Sequence, residues 1–310
     1  MSLNCEKIDY KKYGKCLKID NGTLEIIATL DIGPRIISFR RLGGENILFQ
    51  DLNDLVSVKT KDQDEIFFKG ATWHSYGGHR LWKSPENYAT YYPDNDPITY
   101  QVEGNKITLV QKPQVGTNIQ LVFSLEFQAD NLIKVSNKIK NLSNENKKMA
   151  CWSLSMCKGP GLEIIPLPNN ETGFNPQRYY SLWNFGAKNN DPRAYYGDKF
   201  FSLRMEPGNP LAYKVGMKLN KGRILYLTKE DVLVKKFDRI ENAVYTDNNV
   251  NYETYTKDLF MELETLGEYK EVKPNEELNH DEYWSLFPFG CELPEGDDEV
   301  KFQKLINKYC

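Results

Sequence analysis

Metal-binding side chains are scarce in this sequence. Three histidines and six cysteines are spread over 310 residues. No two cysteines form a C-x-x-C pair and the histidines complete no zinc spacing, so no metal and no cofactor are expected. Long apolar runs are missing too, which excludes a helical membrane span. The first fifteen residues are too charged to read as a signal peptide. Neither sign of charge dominates. The net charge of -3 and pI ≈ 5.8 argue against nucleic acid or anionic membrane as the main partner. There is no phosphate-cradling loop, and Gly43-Gly44 and Gly77-Gly78 lack the continuation of a dinucleotide fingerprint. Ser75 lies beside His74, but no nucleophile elbow or third member completes a triad. Without an export signal, Cys5, Cys16, Cys151, Cys157, Cys291 and Cys310 read as free thiols in a reducing cytoplasm.

What is present is strand upon strand. Hydrophobic residues at 40% and aromatics at 13% supply a sizeable core. Asn21-Gly22 is a hairpin turn between apolar runs. From Tyr100 to Cys157, short strands follow one another across polar turns, and in Leu132 to Lys140 the apolar Ile133, Val135 and Ile139 keep the two-residue period of a half-buried strand. Residues 51–69 are charged and poorly patterned and read as a loop. Asp94-Asn95-Asp96 lacks the spaced oxygens of a calcium loop and reads as a plain turn. Residues 171–197 form a long aromatic-rich excursion, expected to be an ordered loop packed on a sheet. His280, in a charged stretch, is expected to be exposed. Only Asp297 to Tyr309 carries a helical pattern. With no repeat and no linker, the expectation is one mainly β domain over residues 1–310, antiparallel, with few helices and one at the C-terminus.

Chemistry concentrates in Trp73 to Glu86, which holds His74, His79, Arg80, Lys83, two tryptophans and the Gly77-Gly78 pair. Polar groups converging beside aromatic walls are what a small-molecule pocket needs. A bulged strand with surface cations is the plain alternative. Later, strand alternation puts Glu262 and Glu264 on one face and Met261 and Leu263 on the other. Two neighbouring carboxylates raise one another's pKa, which suits proton transfer. His79, Arg80, Lys83, Arg35, Lys214 and Lys235 are the cations available to balance them.

Several ordered motifs give these residues a family context. Ile32-Gly33-Pro34-Arg35 to Phe39, Gly77-Gly78-His79-Arg80-Leu81-Trp82 with Pro85-Glu86, Tyr92-Pro93-Asp94-Asn95, Tyr252 to Thr256, Glu262 to Gly267 and Glu282 to Leu286 follow in that order. In this the chain resembles the galactose mutarotase-like superfamily, and within it a bacterial branch. The resemblance implies an antiparallel β-supersandwich with a sugar-binding concave face. It also implies a glutamate base on a late strand and a histidine acid, acting on the anomeric hydroxyl and the ring oxygen. Glu264-Thr265 matches the glutamate. The histidines do not match: Tyr76 stands before the glycines where epimerases have histidine, and Trp152 follows Asn141-Leu142-Ser143-Asn144 where the second would lie. Trp152 offers a stacking wall instead. His79 is then the replacement acid, and Arg80, Lys83 and Trp82 bind the ligand, a sugar or sugar derivative that includes anionic sugars. A non-catalytic carbohydrate-binding module of the same fold stands beside this reading.

Overall fold

A computed structural model describes residues 3–185 and 190–310, so four residues of the aromatic-rich excursion (186–189) lie outside the described residues. Two large antiparallel sheets dominate. Eight strands position the functional side chains and are labelled in chain order: β1 (His79–Ser84), β2 (Leu132–Asn141), β3 (Lys147–Lys158), β4 (Tyr213–Met217), β5 (Asp231–Asp238), β6 (Tyr252–Lys257), β7 (Phe260–Leu266) and β8 (Glu277–Pro288).

The first sheet runs from Asn4–Asp9 through three further N-terminal strands, then β1, β3, β7, β6 and β4, to Tyr180–Leu182 at its far edge. The second sheet has β5, β8 and β2 adjacent at its centre. The inner faces of both sheets meet in one apolar core that includes Phe39, Leu81, Phe123, Met261, Leu263 and Trp284. β2 shows why: its residues alternate half-buried and buried along the whole strand, as the sequence period demands.

The C-terminal helix α2 (Glu299–Tyr309) begins at Asp298, whose side chain accepts from the Lys301 N–H at 2.9 Å. It lays Phe302, Leu305 and Tyr309 on the outer face of the second sheet, against Leu162, Ile164, Val232 and Val234. The outer face of the first sheet carries no such helix. It carries an aromatic cluster of Trp73, Trp82, Trp152 and Tyr245.

Two expectations fail locally. Residues 51–69 hold a short helix, α1 (Lys61–Ile66), whose Thr60 side chain accepts from the Gln63 N–H. One turn of helix is too short to produce a readable apolar period. His280 is buried: β8 starts earlier than its apolar run suggested, and alternation turns His280 inward between the polar neighbours Asn279 and Asp281, which face out. No helix among the described residues is long and apolar enough to cross a membrane.

Candidate functional site

In an antiparallel ladder, directly opposed residues share a face. The registers of β1, β3, β7, β6 and β4 therefore build three rows across the outer face of the first sheet. Arg80, Leu154, Glu264 and Glu253 make one. Trp82, Trp152 and Leu266 make the next. Met156, Glu262, Tyr255 and Lys214 make the third. Over these rows lies a cavity of ≈ 390 Å³, walled by Trp73, Tyr91, Trp183 and Phe185. That volume is within the roughly 300–1,000 Å³ of ligand sites.

Gly77 and Gly78 aim β1 into this position. Both have positive φ, and a Cβ on Gly78 would meet the Ile36 carbonyl oxygen at 2.2 Å. Only glycine lets the backbones approach so closely before Arg80 and Trp82 enter the sheet.

Arg80 is 3% exposed and lies between aromatic faces, its guanidinium carbon 4.1 Å from the Trp82 ring centre and 5.5 Å from that of Trp73. Its Nη2 donates to Glu262 Oε1 at 2.9 Å. Its Nε and Nη1 are buried with no protein partner, so two donors remain free beside the cavity.

Lys214 is the second cation. Its Nζ lies 2.7 Å from Glu253 Oε2 and 3.0 Å from Glu264 Oε2, with the rings of Trp152 and Trp183 4.8 and 4.7 Å away. Burial alone would lower the Lys214 ammonium, and the two carboxylates outweigh it and hold its pKa above the ordinary value. Glu264 is fully buried beneath this layer. Trp152 Nε1 donates to its Oε2 at 2.9 Å, and its Oε1 has no partner. Burial raises the Glu264 carboxyl, and Lys214 pulls it back only in part. The site can thus present hydrogen-bonding heads on an aromatic floor and hold a proton one layer down.

The structure brings together Arg80, Trp82, Trp152, Glu262, Lys214 and, beneath them, Glu264. It separates the others. His79 precedes Arg80, so the two-residue period sends it to the inner face, where it is fully buried. Its Nε2 lies 3.1 Å from Asn137 Oδ1 and its Nδ1 2.9 Å from the Ser155 hydroxyl. Asn137 Nδ2 donates to the His280 carbonyl, which fixes the amide orientation. The His79 ring is then neutral with its proton on Nε2. Burial pushes its pKa down to about 3. The expectation that His79 shares a cavity with Arg80 and Glu264 is corrected by this placement.

Lys235 is interior as well, 2.9 Å from Glu282 Oε1 and 3.0 Å from Ser155 Oγ. Arg35 is closed off by Asp94, to which its Nη2 donates at 3.0 Å. Tyr76 bonds Asn95 and lines no part of the tryptophan cavity. Lys83 lies on the inner-face side of β1 and lines a different cavity. Sequence reasoning passed over Glu253 and Tyr255, although their alternation in Tyr252-Glu253-Thr254-Tyr255 mirrors that of Glu262 and Glu264 on the neighbouring strand. Trp183, in the aromatic-rich excursion, also lines the cavity. Among the described residues no cluster of His, Cys, Asp or Glu is arranged to hold a metal ion.

No protein-family model and no curated protein matches the sequence. Solved structures do match. A galactose mutarotase-like protein from Clostridium acetobutylicum aligns over 93% of this chain and 99% of its own, at 12% identity and a TM-score of 0.54. A galactose mutarotase related enzyme from Lactobacillus acidophilus aligns over 88% and 97%, at 13% identity and a TM-score of 0.52. A TPR-domain containing protein from Parabacteroides distasonis aligns over 90% of this chain at 14% identity and a TM-score of 0.55, and the chain spans 48% of that protein's length. At such identities the likeness is one of architecture. The chain has the galactose mutarotase-like fold.

Proposed function

We propose that the protein is a cytoplasmic carbohydrate-binding protein, folded as one domain, whose ligand sits over the tryptophan floor of the first sheet. The observation that carries this reading is the pairing of aromatic faces with free polar heads. A pyranose ring has an apolar C–H face that stacks on indole and an edge of hydroxyls that need donors and acceptors. Trp82, Trp152, Trp73 and Trp183 supply the stacking surface. Arg80 Nε and Nη1, the Glu262 carboxylate, Lys214 Nζ and the Tyr255 hydroxyl supply the edge. The free thiols at all six cysteines agree with a reducing compartment.

Sugar 1-epimerisation is a second reading, favoured by Glu264. A carboxyl with a raised pKa and an unpartnered oxygen, held by Trp152 and Lys214, is suited to accept and return a proton. Lys214, held above its ordinary pKa by the two carboxylates, balances the charge on Glu264 and is poorly suited to the acid role that the resemblance left to His79. Anomer exchange on a panel of aldoses, followed by exchange NMR, separates the two readings. Catalysis that Glu264→Gln reduces by about 100-fold or more supports epimerisation. Binding without exchange, retained in Glu264→Gln, leaves recognition as the function.

A further inference from the structure

Lys83 follows Trp82 on β1 and therefore faces away from the tryptophan floor. It enters a second cavity of ≈ 290 Å³. Lys147, at the start of β3 and on the same face as Lys83, adds a second ammonium group there, and among the described residues no carboxylate lines the space. The loop at Gly116 and Thr117 forms the opposite rim. Gly116 has positive φ and packs so tightly on α1 that a Cβ would meet the Ile66 carbonyl oxygen at 2.1 Å, which fixes the rim in place.

Half-buried Lys83 lacks the pairing that the chain's fully buried cations have. Arg35 is paired with Asp94, Arg80 with Glu262, Arg193 with Asp191, Lys214 with Glu253 and Glu264, and Lys235 with Glu282. Among the described residues, Lys83 has no carboxylate partner, and the charge that bears on it is the like charge of Lys147. Lys148 alternates to the opposite face, where its Nζ lies 4.7 Å over the Tyr269 ring. Two like charges gathered at a half-enclosed space repel one another unless an anion joins them.

We propose that this cavity is a binding site for a phosphate-type oxyanion, separate from the tryptophan cavity. A tetrahedral dianion matches two ammonium heads in charge and supplies the acceptors they lack. Lysine binds phosphate as a mobile point charge and does not need the planar geometry of arginine. Free phosphate and the phosphate group of a small metabolite share this chemistry.

The test is calorimetric titration of the full chain at low salt with inorganic phosphate and, separately, with glycerol phosphate. The expected result is saturable binding at one site, weakened about tenfold or more in Lys83→Gln and in Lys147→Gln, retained in Lys83→Arg and unaffected by Arg80→Ala. Tighter binding of glycerol phosphate assigns the site to a phosphorylated metabolite, and equal or tighter binding of inorganic phosphate assigns it to the free ion. Thermal melts of the lysine variants matching the wild type show that the loss is local. Absence of saturable binding by the wild type overturns the proposal. Binding that survives both glutamine variants, or that is lost in Arg80→Ala, overturns it equally.

Discussion

At the residue scale, the site rests on cations held by carboxylates under indole rings. Lys214 is the clearest case. It is nearly buried, touches Glu253 and Glu264, and lies against two tryptophans. Removing it leaves two buried carboxylates without a counter-charge, and breaking such an arrangement from one side costs about 3–5 kcal/mol. Lys214→Met is therefore expected to lower the free energy of unfolding by about that much at pH 7, measured by denaturant titration. A double variant, Lys214→Met with Glu264→Gln, is expected to recover part of the loss, because one of the stranded charges is gone. A single variant as stable as the wild type would show that the cluster is not the paired unit described. The sequence offers Glu262 and Glu264 with His79, Arg80, Lys83, Arg35, Lys214 and Lys235 as a mixed-charge set, and of these cations Arg80 and Lys214 meet the two carboxylates. It could not tell which cation meets which carboxylate. That depends on register, and shifting a strand by one residue exchanges its faces.

At the element scale, the same alternation explains both the success with Glu262 and Glu264 and the misplacement of His79. The Glu-x-Glu spacing was read as a face, whereas His79-Arg80-Leu81-Trp82-Lys83 was read as a composition. On β1 these residues divide: Arg80 and Trp82 face the tryptophan cavity, while His79 and Leu81 face the core. The inner group joins a polar chain between the sheets. His79 meets Ser155 and Asn137, Lys235 meets Ser155 and Glu282, and Thr265 accepts from His280 Nε2 at 2.7 Å while donating to Glu282. The groups facing His79 are thus Lys235 from β5 and Glu282 from β8, with Arg80 also felt from its own strand.

This arrangement has a pH signature. Burial lowers His79 to about 3 and also lowers His280, whereas an unfolded histidine titrates near 6.5. Between those values the unfolded chain binds more protons than the folded one, so these residues make stability rise with pH in that window. The His79 contribution is complete above pH ~6.5 and is lost as pH falls toward about 3, and that of His280 has the same sign. Each contributes a slope of up to ~1.4 kcal/mol per pH unit. Glu163 acts in the opposite sense, because burial raises it to about 8. The informative quantity is therefore a difference. His79→Gln is expected to flatten the fall in stability between pH 6 and 4 by about one proton relative to the wild type. Equal slopes would place His79 in contact with water in the folded state.

At the scale of the whole molecule, the antiparallel β class and the C-terminal helix were legible in the strand pattern, and the stacked sheets were what the resemblance implied. Short alternating strands, polar turns and one amphipathic segment leave few other folds. The depth of the site was not legible. Glu264 is covered because the registers of five strands set its row beside those of Trp152 and Lys214, whose longer side chains reach across to its carboxylate, and no stretch of sequence shows that neighbourhood. Nor did the reading of this stretch separate Lys83 from Arg80, although Arg80 lies two residues from Trp82 and Lys83 only one, which sends them to opposite faces. The fold places them at two cavities.

The central claim is that the tryptophan floor binds a sugar ring. Saturation-transfer NMR with a panel of free monosaccharides tests it directly, because it reports which ligand protons touch the protein. The expected result is transfer to the ring C–H protons of at least one sugar, abolished in Trp82→Ala and weakened in Arg80→Ala, with both variants folded by circular dichroism. No transfer to any sugar in the wild type, or equal transfer in wild type and both variants, would contradict it.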